Sequence, residues 1–139
     1  MRRIILVAVL VFSISFKGES NNIGVQETIQ EEKAGKVKDI DVTTFSELIN
    51  SRKGTILDVR TPEEWSEGII EGAIKINFYD ENFLSEASKL PKNKVIYVYC
   101  KKGGRSATAA NQLKEKGYHV FNLLGGFDAW KGAKKDVVK

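Results

Sequence analysis

From residue 37 onward, short apolar runs alternate with stretches whose apolar positions recur at helical spacing. Ile40 and Val42 mark a first strand, and Thr44-x-x-Glu47 forms a capping pattern for a helix presenting Phe45, Leu48 and Ile49. Thr55 to Val59 is a compact apolar run of the kind buried on both faces of a sheet. Thr61-Pro62-Glu63-Glu64 caps a second, short helix: Thr at the N-cap, Pro at the first helical position, Glu at the third. Ala73 to Asn77 predicts another strand. Asn82 to Leu90 predicts a helix with Phe83, Leu84, Ala87 and Leu90 on one side, ended by Pro91. Val95 to Tyr99 is the strongest strand, every residue β-branched or aromatic, and it runs straight into Cys100. Ser106 to Lys116 predicts a helix with Ala107, Ala110 and Leu113 inward and Gly117 as its stop. Val120 to Leu124 forms the last strand, and Gly125-Gly126 turns the chain into a short helix over Phe127 to Lys131. Strands separated by helices through short connections predict an α/β fold of three layers, with a mainly parallel sheet of about five strands.

The first residues follow a different pattern. Met1-Arg2-Arg3 is a positive start, and Ile4 to Phe16 is an apolar run broken only by Ser13 and Ser15. At ~1.5 Å per residue this run reaches about 20 Å, short of the ~30 Å hydrocarbon core. It predicts a signal peptide over residues 1–17 and export to the periplasm or the exterior. The alternative is an uncleaved anchor that holds the chain to a membrane by residues 4–16. Residues 18–36 are polar with scattered Ile23, Val25 and Ile29 and read as a flexible linker, with at most a marginal helix over Val25 to Lys33. The folded domain is expected over residues 37–137.

Composition narrows the class. The hydrophobic content is that of a globular domain, and the net charge of +4 is mild. The basic residues form no stripe and no nucleic-acid-binding module, so a nucleic-acid partner is not expected. The chain has a single Cys and a single His, which excludes an internal disulfide and leaves no set of zinc ligands. No metal or cofactor is expected. His119, at a strand start, reads as a structural or surface residue, and Trp65 and Trp130 read as packing.

The candidate chemistry lies in Tyr99-Cys100-Lys101-Lys102-Gly103-Gly104-Arg105-Ser106. Cys100 ends the strongest strand, and ligands in open α/β sheets bind outside such ends. Gly103 and Gly104 let the backbone curl so that successive N–H groups face an anion. The next helix adds its positive N-terminus. Lys101, Lys102 and Arg105 add further positive charge. A thiol in that setting is poised as a thiolate nucleophile.

These motifs resemble the rhodanese-like domain over about Val37 to Val137. Cys100-x-x-Gly103-x-Arg105 is similar to that family's active-site loop. Leu57-Asp58-Val59-Arg60-Thr61-Pro62-Glu63-Glu64-Trp65 resembles its upstream signature, and Leu124-Gly125-Gly126-Phe127-x-Ala129-Trp130 its C-terminal one. The resemblance implies a sulfurtransferase in which Cys100 carries a persulfide. Lys101, Lys102, Gly103, Gly104 and Arg105 then form the cradle for the substrate anion and outer sulfur. Asp58 and Arg60 would organise the loop and its entrance, or form a structural ion pair linking a strand end to the Glu63/Glu64 helix. The implied donor is thiosulfate or another sulfane donor, and the acceptor is cyanide, a small thiol or a protein cysteine. The chain departs from the family at Gly68-Ile69-Ile70-Glu71-Gly72-Ala73, where Ile69 and Glu71 stand in place of the usual His and Pro.

Ring size separates this reading from its neighbours. Phosphatases related to the fold use Cys-x5-Arg, whereas four residues separate Cys100 from Arg105 here. A phosphatase or arsenate reductase is therefore the lesser alternative. A non-catalytic sulfur carrier or partner-binding module is the nearer one.

Overall fold

The structure, a computed structural model, describes residues 35–139. The expected leader and the marginal helix over 25–33 lie outside the described residues, as does nearly all of the expected linker. The folded body already includes Gly35, where a side chain would collide with the Tyr118 carbonyl, and β1 starts at Lys36.

Five parallel strands form one sheet: β1 (Lys36–Ile40), β2 (Thr55–Asp58), β3 (Ile74–Lys75), β4 (Ile96–Tyr99) and β5 (His119–Leu123), in the order β1-β5-β4-β2-β3. The helices are α1 (Val42–Ile49), α2 (Pro62–Trp65), α3 (Phe83–Ala87), α4 (Gly104–Glu115) and α5 (Gly126–Gly132). β4 is the central strand and all four of its residues are buried. Its pleat sends Ile96 and Val98, followed by Cys100, into one core with Phe83 and Ala87 of α3 and Ala109, Ala110 and Leu113 of α4. Tyr97 and Tyr99 enter the opposite core with Phe45 of α1 and Phe127 and Trp130 of α5. The fold is thus the expected three-layer α/β/α arrangement.

Several boundaries differ from the sequence reading, each for a local reason. Val42 belongs to α1 and not to the first strand, because Asp41 is the N-cap and its carboxylate accepts the Thr44 N–H at 2.8 Å. The expected Thr44 cap is therefore displaced by Asp41. The strand over Ala73 to Asn77 contracts to Ile74–Lys75 at the sheet edge, although the Ile76 N–H still reaches the Asp58 carbonyl at 3.0 Å. The capping box at α2 forms as read, with Thr61 and Glu64 bonding each other's backbone N–H. α4 begins two residues early, and its buried stripe is Ser106, Ala109, Ala110 and Leu113. Ala107 is only partly buried, so the inward position expected of it falls to Ser106.

Candidate active site

The loop after β4 holds the one Cys of the chain at the bottom of a cradle. Cys100 is 1% exposed. Its Sγ accepts the Gly103 N–H at 3.1 Å, and the Ser106 hydroxyl stands 3.4 Å away as a second donor. Burial by itself raises the thiol pKa. The Ser106 hydroxyl and the backbone N–H groups of Ser106, Gly103 and Lys102 outweigh it, and the net shift is downward. The site therefore eases ionisation of a thiol held out of bulk water, through directional donors at the start of α4.

The loop's shape depends on glycine at two places. Gly103 takes φ +106, a conformation that L side chains rarely adopt, and this turns its N–H back onto the sulfur. Gly126 takes φ +60, and a Cβ there would lie 2.5 Å from the Cys100 carbonyl oxygen and 2.6 Å from that of Lys101. That closeness lets the first N–H groups of α5 hold the loop from behind. Phe127 N–H donates to the Cys100 carbonyl at 2.8 Å, and Asp128 N–H to the Lys101 carbonyl at 3.0 Å. The start of α4 grips the sulfur, and the start of α5 grips the backbone that carries it.

Asp58 and Arg60 form a buried ion pair, 0% and 1% exposed, with Arg60 Nη2 at 2.7 Å from Asp58 Oδ2 and Nε at 3.0 Å from Oδ1. The same guanidinium donates to the Glu64 carbonyl at 3.1 Å and the Gly68 carbonyl at 2.7 Å, and it lies 3.9 Å from the centre of the Phe127 ring. Arg60 thus ties the end of β2, α2, the Gly68 turn and α5 into one unit. Of the two roles weighed for this pair, the linking ion pair is the one its contacts describe. Tyr99 lies beside it, with its phenol accepting the Ile70 N–H at 3.1 Å. Burial, then the Asp58 carboxylate, pushes that phenol's pKa up.

Two of the three cationic side chains of the loop are paired, where the sequence suggested three free charges. Arg105 forms a two-pronged pair with Glu64, Nη1–Oε2 2.8 Å and Nη2–Oε1 2.7 Å. Arg105, ahead of an opposing burial effect, holds the Glu64 carboxyl at about 2, and the pairing raises the Arg105 pKa in turn. Lys101 Nζ lies 3.3 Å from Asp128 Oδ1. Lys102 is exposed and has no ion pair among the described residues. Gly104 opens α4 with free space around its Cα. His119 is exposed at the opposite end of the sheet and takes no part.

Three residues at this site were not singled out from sequence. Ser106 carries a signal, as a hydroxyl at the start of a helix just after the loop, but helical periodicity points to Ala107 as the inward position. Glu64 was read only as a cap, which it also is. Asp128 carried no sequence signal, because its partner Lys101 is 27 positions distant.

The chain matches the Rhodanese-like domain family over residues 41–133. A sulfurtransferase of Allochromatium vinosum is 33% identical over 96 residues, covering 68% of this chain and 88% of the relative. A thiosulfate sulfurtransferase of Coxiella burnetii is 36% identical over 86 residues, covering 61% and 78%. Among solved structures, a rhodanese-related protein of Thermoplasma volcanium superposes with a TM-score of 0.66 at 30% identity, covering 73% of this chain and 97% of that one. With a family match that spans the Cys100 loop and its braces, and relatives aligned over most of their own length, this chain belongs to the rhodanese-like domain family.

Proposed function

We propose that this protein is a sulfurtransferase working through a persulfide on Cys100. In the first half-reaction the Cys100 thiolate attacks the outer sulfur of a sulfane donor. A new S–S bond forms to Cys100, the donor's S–S bond breaks, and its electron pair leaves with sulfite or with a thiolate. In the second, an acceptor thiolate or cyanide attacks the outer sulfur of the persulfide and Cys100 departs as thiolate. No electrons are gained or lost overall, so no redox partner is needed.

One observation carries the proposal: a lone, buried thiol whose sulfur is met by Gly103 N–H and the Ser106 hydroxyl, with its pKa lowered despite burial. Donors that stabilise Cys100 as nucleophile also stabilise it as leaving group, and both half-reactions need this. The sulfurtransferase names of the relatives support the same reading.

Intact mass tests it. Incubation with thiosulfate or with an organic persulfide is expected to add one sulfur, and cyanide is expected to remove it with release of thiocyanate. Cys100→Ser is expected to take up no sulfur and to lose transfer while keeping its far-ultraviolet circular dichroism. Undiminished transfer by the serine variant would falsify the persulfide mechanism.

A further inference from the structure

The charges around the loop are arranged as closed pairs. Arg105 is matched by Glu64 at 2.7 and 2.8 Å, and Lys101 by Asp128 at 3.3 Å. Neither carboxylate is what holds the loop backbone: the carbonyls of Cys100 and Lys101 accept the N–H groups of Phe127 and Asp128. Of the three cations beside the thiol, only Lys102 lacks an anionic partner among the described residues. Attraction at the sulfur thus comes mainly from short-range N–H and hydroxyl donors, and the diffuse positive potential suggested by the sequence is largely cancelled.

These two sources of attraction discriminate differently. The short-range donors act on the Cys100 sulfur itself, whatever charge the incoming donor molecule carries. A diffuse positive potential favours a dianion twice as strongly as a monoanion, because Coulomb energy is linear in charge. We propose that Glu64 and Asp128 are specificity-determining residues that bias the site toward singly charged sulfane donors, organic persulfides of the form R–S–S⁻, over dianions such as thiosulfate. This rests on the sulfurtransferase reading above. Both donors undergo the same balanced step: Cys100–S⁻ attacks the terminal sulfur, and the bond behind it breaks. One negative charge stays on the enzyme persulfide, and the donor leaves as R–S⁻ or as sulfite dianion.

The test compares kcat/KM for thiosulfate and for 2-hydroxyethyl persulfide in the wild type, E64Q, D128N and the double variant, at low and at high salt. Gln at position 64 keeps an oxygen for the Thr61 N–H that caps α2, and Asn at 128 keeps the backbone N–H bond to Lys101. In the double variant at low salt, a rise of about tenfold is expected for thiosulfate and about threefold for the persulfide, so the ratio shifts about threefold toward the dianion. High salt is expected to erase most of that shift. Asp128 is half-buried and lies on α5, away from α2, so D128N reads the effect even if the change at Glu64 disturbs α2. A ratio that stays constant or falls, in variants that still load sulfur, overturns the proposal. Failure of the wild type to load sulfur from any donor would instead remove the sulfurtransferase reading on which it rests.

Discussion

Ser106→Ala isolates what one hydroxyl contributes to the thiolate. Ser106 is fully buried, and its single proton is divided between Cys100 Sγ at 3.4 Å and the Gly103 carbonyl at 3.2 Å. A hydrogen bond to a charged acceptor contributes about 1.5–3 kcal/mol. The long separation and the shared proton place this one at the lower end, about 1.5 kcal/mol, which corresponds to roughly a tenfold smaller thiolate population. The variant should leave no orphan carbonyl, because Gly103 O also accepts the Ala107 N–H at 3.1 Å. The assay is alkylation by iodoacetamide across pH, which reports on one sulfur because Cys100 is the only cysteine. The thiol pKa is depressed in the folded chain, so removing a donor to the charged form moves the midpoint up. Below both midpoints the rate is expected to fall about tenfold, and the two curves are expected to converge at high pH, where both thiols are ionised. Linkage gives a second readout. A depressed thiol pKa contributes stability that is present above the unfolded thiol's pKa and is lost as pH falls through the folded value, so the variant should gain less stability on going to alkaline pH. Superposable alkylation curves in a folded variant would refute the assignment of Ser106 as a thiolate donor.

Two further predictions concern the frame. Asp58→Asn leaves the Arg60 guanidinium buried without its anion and is expected to cost about 3–5 kcal/mol in urea unfolding, and a loss under about 1 kcal/mol would show that the pair is not the tie described. Gly126→Ala places a methyl against the Cys100 and Lys101 carbonyls at φ +60 and is expected to cost about 1–3 kcal/mol and to slow Cys100 alkylation. Gly132→Ala, at the far end of the same helix with nothing near its Cα, is expected to leave both unchanged, and equal effects at the two glycines would remove α5 as the loop's brace.

Most of the fold was legible because its signals are local. The β4 pattern of alternating β-branched and aromatic residues reports burial on both faces, and Thr61-Pro62-x-Glu64 contains its whole cap within four positions. The boundaries that moved did so where two local signals competed. Asp41 and Thr44 could each cap α1, and Asp41 prevails because its carboxylate reaches the Thr44 N–H. At the site, the nucleophile and its glycines were legible for the same reason, being consecutive. The electrostatics were not. Three cations in five positions read as a positive loop, but their neutralising partners come from α2 and α5, Glu64 at 41 positions from Arg105 and Asp128 at 27 from Lys101. Periodicity along one segment carries no information about such pairs.

The same distinction between backbone and side chain accounts for the turn at Gly68 to Ala73, where Ile69 and Glu71 replace the His and Pro usual in the family. What this turn gives the site passes through main-chain atoms. The Gly68 carbonyl accepts Arg60 at 2.7 Å, the Ile70 N–H meets the Tyr99 hydroxyl, and Ile69 pairs with Val138 through both its N–H and its carbonyl. Arg60 passes that anchorage to Phe127, whose N–H holds the Cys100 carbonyl. The side chains of Ile69 and Glu71 make none of these hydrogen bonds, and Glu71 faces solvent. A substitution that preserves the path of the backbone therefore preserves the brace, and the loop beneath Cys100 is held as firmly with Ile69 and Glu71 as the hydrogen bonds of the turn require.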